Sequence, residues 1–191
     1  MTPIAVVHEL GGDGAVWREA LTTWPGESFA PDLVVQGASG DRTDVIWLLL
    51  EQLEAWRGVR PIIVGCDEHA LAAETFALAG WVGGLVLVDG LGGAWGDADQ
   101  QVAAQQAWLR ERFADPDAPV RSYPQAWEER FAAVLRSNVR CPVLIIESPA
   151  SITPPGEAER RLAQFAADAT LVELPAAHPT AVLDAVRRWS A

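Results

Sequence analysis

Three histidines, His8, His69 and His178, and two cysteines, Cys66 and Cys141, are all the imidazoles and thiols in a chain of 191 residues. Imidazole changes charge near neutral pH, so each histidine is a candidate general acid, general base or metal ligand. Glu9 follows His8, and Asp67 and Glu68 precede His69. If the fold gathers these groups, they could form an acid/base cluster or a metal site of imidazoles and carboxylates. The plainer alternative is a structural His8 and a surface His69. No local spacing such as a helical histidine pair supports a metal, so neither metal nor cofactor is expected. The cysteines both end apolar runs, where a thiol behaves as a small buried hydrophobe, and no disulfide framework is implied.

These groups need a scaffold. Apolar runs recur at Pro3–His8, Ser28–Val35, Pro61–Cys66, Gly84–Asp89, Cys141–Glu147 and Ala169–Leu174, most without alternation, as strands buried on both faces read. Helical spacing fills Ala15–Trp24, Thr43–Trp56, His69–Gly80, Ala98–Arg112, Ala126–Arg136, Gly156–Ala166 and Pro179–Trp189. Thr43 or Asp44 is the expected cap of the second helix, and Gly58 its stop. The alternation predicts one α/β domain over residues 1–191, with a mainly parallel sheet and helices on both faces. In such sheets chemistry gathers at the carboxyl ends of the strands. Residues 90–140 interrupt the alternation as a helical insertion carrying Trp95, Trp108, Tyr123 and Trp127. They read equally as an aromatic lid over the strand ends or as two ordinary crossover helices.

Composition narrows the partners. The formal charge is −12 and every basic side chain is arginine, which repels phosphate backbones and anionic bilayers over most of the surface. Nucleic acid and membrane are therefore not expected as partners. The start has no basic, apolar leader pattern, and no run reaches the roughly 18 apolar residues a membrane span needs, so a soluble cytoplasmic protein is expected. The nine tryptophans are too scattered for a repeat; they fill core, and some line a pocket.

Four landmarks, in order, resemble the α/β-hydrolase superfamily across nearly the whole chain. His8-Glu9-Leu10-Gly11-Gly12 with Trp17 resembles its oxyanion loop after the third strand, and Phe29-Ala30-Pro31-Asp32-Leu33 the strand end that follows. Ile62–His69, running on through Ala70–Leu78 to Gly84–Asp89, resembles the nucleophile elbow, its helix and the next strand. Leu174-Pro175-Ala176-Ala177-His178 resembles the loop bearing the catalytic histidine. The resemblance implies a chain beginning at the family's third strand and hence a sheet of about six strands. It puts Asp67 at the nucleophile position, where haloalkane dehalogenases and epoxide hydrolases carry aspartate, and His178 at the base. Backbone N–H groups of Leu10 and Glu68 would then form the oxyanion hole. Cys66 does not fit the elbow, which would need glycines where Val64 and Glu68 stand. The resemblance also brings His8, His69 and His178 to one rim.

Departures accompany the match. The loop that ordinarily bears the orienting acid reads Ser148-Pro149-Ala150-Ser151, without an acid, which leaves Asp89 or Glu147 as candidates. Glu9 and His69 stand where the family has glycines, the second of which lets the elbow helix approach the sheet. Glu68 stands where dehalogenases carry a halide-binding tryptophan, and Tyr123 is the only tyrosine, where epoxide hydrolases raise two from the lid. Three functions remain open. One is hydrolysis of a small apolar or aromatic epoxide, halide, ester or lactone through an Asp67 nucleophile and His178 base. Another is a lyase, isomerase or cyclase moving protons with the same pair. The third is a catalytically silent binding protein. Monomer and homodimer are both open.

Overall fold

The computed structural model describes residues 2–8, 14–31, 42–90, 136–151, 156–165 and 168–191, without the side chains of 42–46, 68, 71, 157 and 161. The strands β1 (Ile4–Val7), β2 (Ser28–Phe29), β3 (Ile62–Cys66), β4 (Gly84–Val88), β5 (Val143–Glu147) and β6 (Ala169–Glu173) form one sheet in the order β2-β1-β3-β4-β5-β6. Every pairing is parallel. Among the described residues the helices are α1 (Gly14–Leu21), α2 (Arg42–Ala55), α3 (Ala70–Leu78), α4 (Glu157–Leu162) and α5 (Pro179–Ser190).

The two-residue period of a strand explains why β1, β3 and β4 are apolar throughout: both of their faces are covered. Ala5, Val7, Ile63, Leu85, Leu87, Val143 and Ile145 face one core, packed by Leu49 and Leu53 of α2, Phe76 of α3 and Ala158 of α4. Ile4, Val6, Ile62, Val64, Val86, Val88, Leu144 and Ile146 face the other, packed by Trp17 and Leu21 of α1 and Val182, Leu183 and Val186 of α5. Each fully buried aliphatic side chain here contributes about 1.5–3 kcal/mol of transfer free energy. In α5, Pro179 opens the helix where a missing N–H costs nothing, and Arg187 and Arg188 close it against the negative dipole end.

Helix and strand borders mostly follow the sequence. Gly58, at φ +91°, ends the turn after α2 as expected. That helix begins at Arg42, so Thr43 and Asp44 lie inside its first turn instead of capping it. Of the strand expected over Ser28–Val35, Ser28–Phe29 pairs in the sheet and Ala30 and Pro31 do not, Pro31 having no N–H to give a neighbouring strand, while residues 32–35 lie outside the described residues. Most of the 90–140 insertion, Trp95, Trp108, Tyr123 and Trp127 included, lies outside the described residues. Among the described residues no helix is long and apolar enough to cross a membrane.

Where the chain re-enters the sheet, a buried ion pair fixes it. Arg136 Nε donates to Glu74 Oε1 on α3 at 2.7 Å, and its Nη1 to Gln164 Oε1 at 2.8 Å. The guanidinium carbon also lies 5.9 Å from the centre of the Phe165 ring. One planar cation thus ties the approach to β5 to α3 and to the end of α4.

Candidate active site

At the carboxyl end of β3 the chain turns within three residues into a helix. Asp67–His69 form a single 3-10 turn that runs directly into α3. Asp67 holds φ at +47°, a left-handed conformation that aspartate tolerates better than most residues. Helix α3 can start this close to the sheet because residue 65 is glycine: a β-carbon there would stand 2.8 Å from Ala70 Cα and from Ala73 Cβ. A second glycine guards the same point. A β-carbon on Gly90 would lie 2.1 Å from the Asp67 carbonyl oxygen, so the chain leaving β4 crosses Asp67 backbone to backbone.

The neighbouring strand ends the same way. Asp89 follows β4 at φ +54° and is buried. Its Oδ1 accepts the Ser148 N–H at 2.6 Å and its Oδ2 the Ser148 hydroxyl at 2.7 Å. The Ser148 oxygen accepts the Ala150 N–H at 3.2 Å, and the Ser151 hydroxyl donates to the Asp89 carbonyl at 3.2 Å. His178 immediately precedes α5, and its carbonyl accepts the Val182 N–H. Its side chain is exposed.

Asp67, Asp89, Ser148 and His178 share one cleft of about 510 Å³. Trp17, Val88 and Pro149 give it apolar walls. Cys66 also borders it, packed into the core as a small hydrophobe. Burial pushes the Cys141 thiol up, away from thiolate chemistry.

All three histidines follow parallel strands at the carboxyl end of the sheet, but only His178 lines the cleft; His8 and His69 are buried, at 0% and 1% exposure, so His69 is no surface residue. His69 Nδ1 lies 2.6 Å from the His8 carbonyl oxygen, which can only accept; the nitrogen therefore carries the proton. His69, standing where the family has a glycine, leaves the elbow helix close to the sheet: Gly65 and two alanines make that contact while the His69 ring reaches the carbonyl of His8, just after β1. Among the described residues no group of three or more His, Cys, Asp or Glu side chains could hold a metal.

Glu147, the other candidate acid, ends β5 on the side of the sheet covered by α3 and α4, by alternation from Val143 and Ile145. It does not line the cleft. Burial, then the charges of Asp89, Glu173 and Glu159, push its carboxyl above the ordinary range. Glu68 lies in the turn of Asp67, its backbone described. Glu9, Leu10, Trp95, Trp108, Tyr123 and Trp127 lie outside the described residues.

No protein-family model matches the sequence, and no curated protein matches it. Solved structures do match. Naproxen esterase (carboxylesterase NP) from Bacillus subtilis superposes with a TM-score of 0.66 at 16% identity, over 100% of this chain and 84% of its own. The thioesterase domain from the curacin biosynthetic pathway gives 0.62 at 14% identity, over 99% and 89%. Monoacylglycerol lipase from Paleococcus ferrophilus gives 0.61 at 17%, over 98% and 93%. The chain has the α/β-hydrolase fold. Asp67 stands on the sharp turn that leads from the central strand β3 into α3.

Ser148 is the cleft residue that sequence reading missed. It was visible only as part of a loop without an acid. The signal was the register: Val88 pairs with Ile146, so the residues following β4 and β5 must meet.

Proposed function

We propose that this protein is a hydrolase of small, largely apolar substrates, with Asp67 as nucleophile, His178 as base and Asp89 as the acid that orients the base. The observation that carries this reading is a buried carboxylate in left-handed backbone at the strand-to-helix turn, opening on the cleft that His178 also lines. One Asp67 oxygen attacks an electrophilic sp³ carbon of an epoxide or alkyl halide. The carbon–oxygen ester bond forms as the carbon–halogen or ring carbon–oxygen bond breaks, the departing group taking the electron pair. His178 then removes a proton from water, and the hydroxide attacks the ester carbonyl carbon. Collapse expels the ester oxygen, which takes the His178 proton, and the Asp67 carboxyl, now with one oxygen from water, ionises to solvent. That proton matches the released halide, or replaces the one that the opened epoxide oxygen took from water, so the alcohol or diol leaves with the carboxylate restored. The structural neighbours, an esterase, a thioesterase and a lipase, support hydrolysis as the reaction type.

Turnover of candidate epoxides, halides, lactones and esters in oxygen-18 water tests the proposal. Over repeated turnovers the label should enter the Asp67 carboxylate, read by mass spectrometry of the peptide that contains it. Turnover without label removes Asp67 as nucleophile and favours proton transfer by the same residues.

A further inference from the structure

Within that reading Asp89 is the acid, and its surroundings point to a further residue. From the geometry we infer that Ser148 is a positioning residue, which through its N–H and its hydroxyl holds Asp89 aimed into the cleft and ionised. The acid of the site is then a two-residue unit spanning β4 and β5.

Both contacts are short, at 2.6 and 2.7 Å, and one is made to each carboxylate oxygen, so the carboxyl plane is fixed as well as its position. Hydrogen bonds to a charged acceptor are about twice as strong as neutral ones and favour the ionised form. That bias is needed here. Asp67 follows the strand on one side of β4 and Glu147 ends the strand on the other, so Asp89 lies between two other carboxyl groups, and its charge and that of Glu147 oppose one another. Among the described residues lining the cleft, His178 is the one whose protonated form would be a counter-charge. Without donors, crowded carboxylates favour protonation of one of them. A protonated Asp89 could no longer stabilise an imidazolium on His178.

A loop staple alone would explain contacts between Asp89 and the 148–151 turn, but two features go beyond it. Asp89 and Ser148 both open on the cleft that holds Asp67 and His178. Asp89 also keeps a left-handed φ that no glycine relieves, a strain that persists where surrounding contacts over-determine it. Each carboxylate oxygen accepts more than one hydrogen bond, so accepting from Ser148 does not preclude accepting from His178.

The test compares Ser148→Ala with Ser148→Thr in the full chain, Thr restoring the hydroxyl. The first readout needs no substrate: the titration of the Asp89 carboxyl carbon by NMR, its resonance assigned by its loss in Asp89→Asn. Ser148→Ala should move that titration to higher pH and Ser148→Thr should return it. The second is the pH dependence of kcat/KM, whose acid limb should move the same way in Ser148→Ala, with kcat down about tenfold, the scale of one charge-assisted hydrogen bond. Ser148→Cys, a weaker donor of similar size, should give a smaller shift of the same sign. An unmoved Asp89 titration in Ser148→Ala overturns the inference even with the reaction intact. Full turnover in Asp89→Asn is a separate failure: it removes Asp89 from the reaction, and the acid unit with it.

Discussion

Carboxylates end four neighbouring strands of the sheet, and they fall into two pairs. Asp67 and Asp89, after β3 and β4, are buried in left-handed backbone at φ +47° and +54°, and Gly90 brings their two turns into contact. Glu147 and Glu173, the last residues of β5 and β6, stand in register on one face, in ordinary extended backbone, partly or fully open to water. The aspartates occupy positions where strain and desolvation are accepted, and Asp89 is supplied with two donors. The glutamates repel one another, and solvent limits the damage. In one sheet, the same functional group at the same end of a strand is, on the proposed function, a reagent in the first case and a solvated edge in the second.

The largest expected effect is on turnover. Asp67→Asn keeps the size of the side chain and its tolerance of left-handed backbone while removing the nucleophilic charge. We expect kcat/KM to fall about 10⁴-fold or more, the scale of losing a nucleophile. The unfolding free energy should stay within about 0.5 kcal/mol of the parent, as for substitutions that break no packing. Turnover that survives in this variant would erase the distinction between the two pairs of strand ends.

A buried carboxylate outside the cleft provides the converse. Glu74 on α3 is as buried as the aspartates, but it faces a guanidinium instead of an opening. Removing one member of such a pair strands the other charge, so Arg136→Ala should lower the unfolding free energy by about 3–5 kcal/mol in a urea titration. The kcat of the folded fraction should change far less. An Arg136→Ala protein as stable as the parent would show that burial alone does not separate reagent carboxylates from structural ones here.

Much of this was legible in the sequence, for physical reasons. Strands covered on both faces must be apolar throughout, so Pro61–Cys66 and Gly84–Asp89 announce themselves, and the strand–turn–helix around Asp67 follows from Gly65 and the alanine-rich start of α3. What escaped was anything set by pairing distant segments. Ser148 meets Asp89 across 59 positions of sequence, and only strand register reveals it. His69 could be read as surface because its acceptor is a backbone carbonyl 61 residues away, which no side-chain pattern encodes. Choosing between Asp89 and Glu147 required knowing which face each strand end turns to, and a left-handed residue breaks the alternation from which that face would be counted.

The smallest effect lies with the glutamate pair and has a defined sign. Glu147 Oε1 is buried with no hydrogen-bond partner among the described residues, and burial and three acidic neighbours raise its carboxyl above its ordinary value of 4.5. The folded protein therefore binds this proton more tightly than the unfolded chain does. Its contribution to stability is fully present below about pH 4.5 and is lost as pH rises through the higher folded value. Glu147→Gln removes the charge that has to be accommodated, so above that window the variant should be more stable than the parent. Partial exposure and solvent screening keep the gain to about 0.5 kcal/mol. Added salt should shrink it, and Glu173→Gln should make it smaller still, since each substitution relieves the same cross-strand repulsion. Equal stabilities of parent and Glu147→Gln from pH 4 to 8 would mean that water screens the pair completely. The contrast with Asp67 and Asp89 would then rest on backbone strain and donors alone, with no part played by repulsion at the glutamate ends.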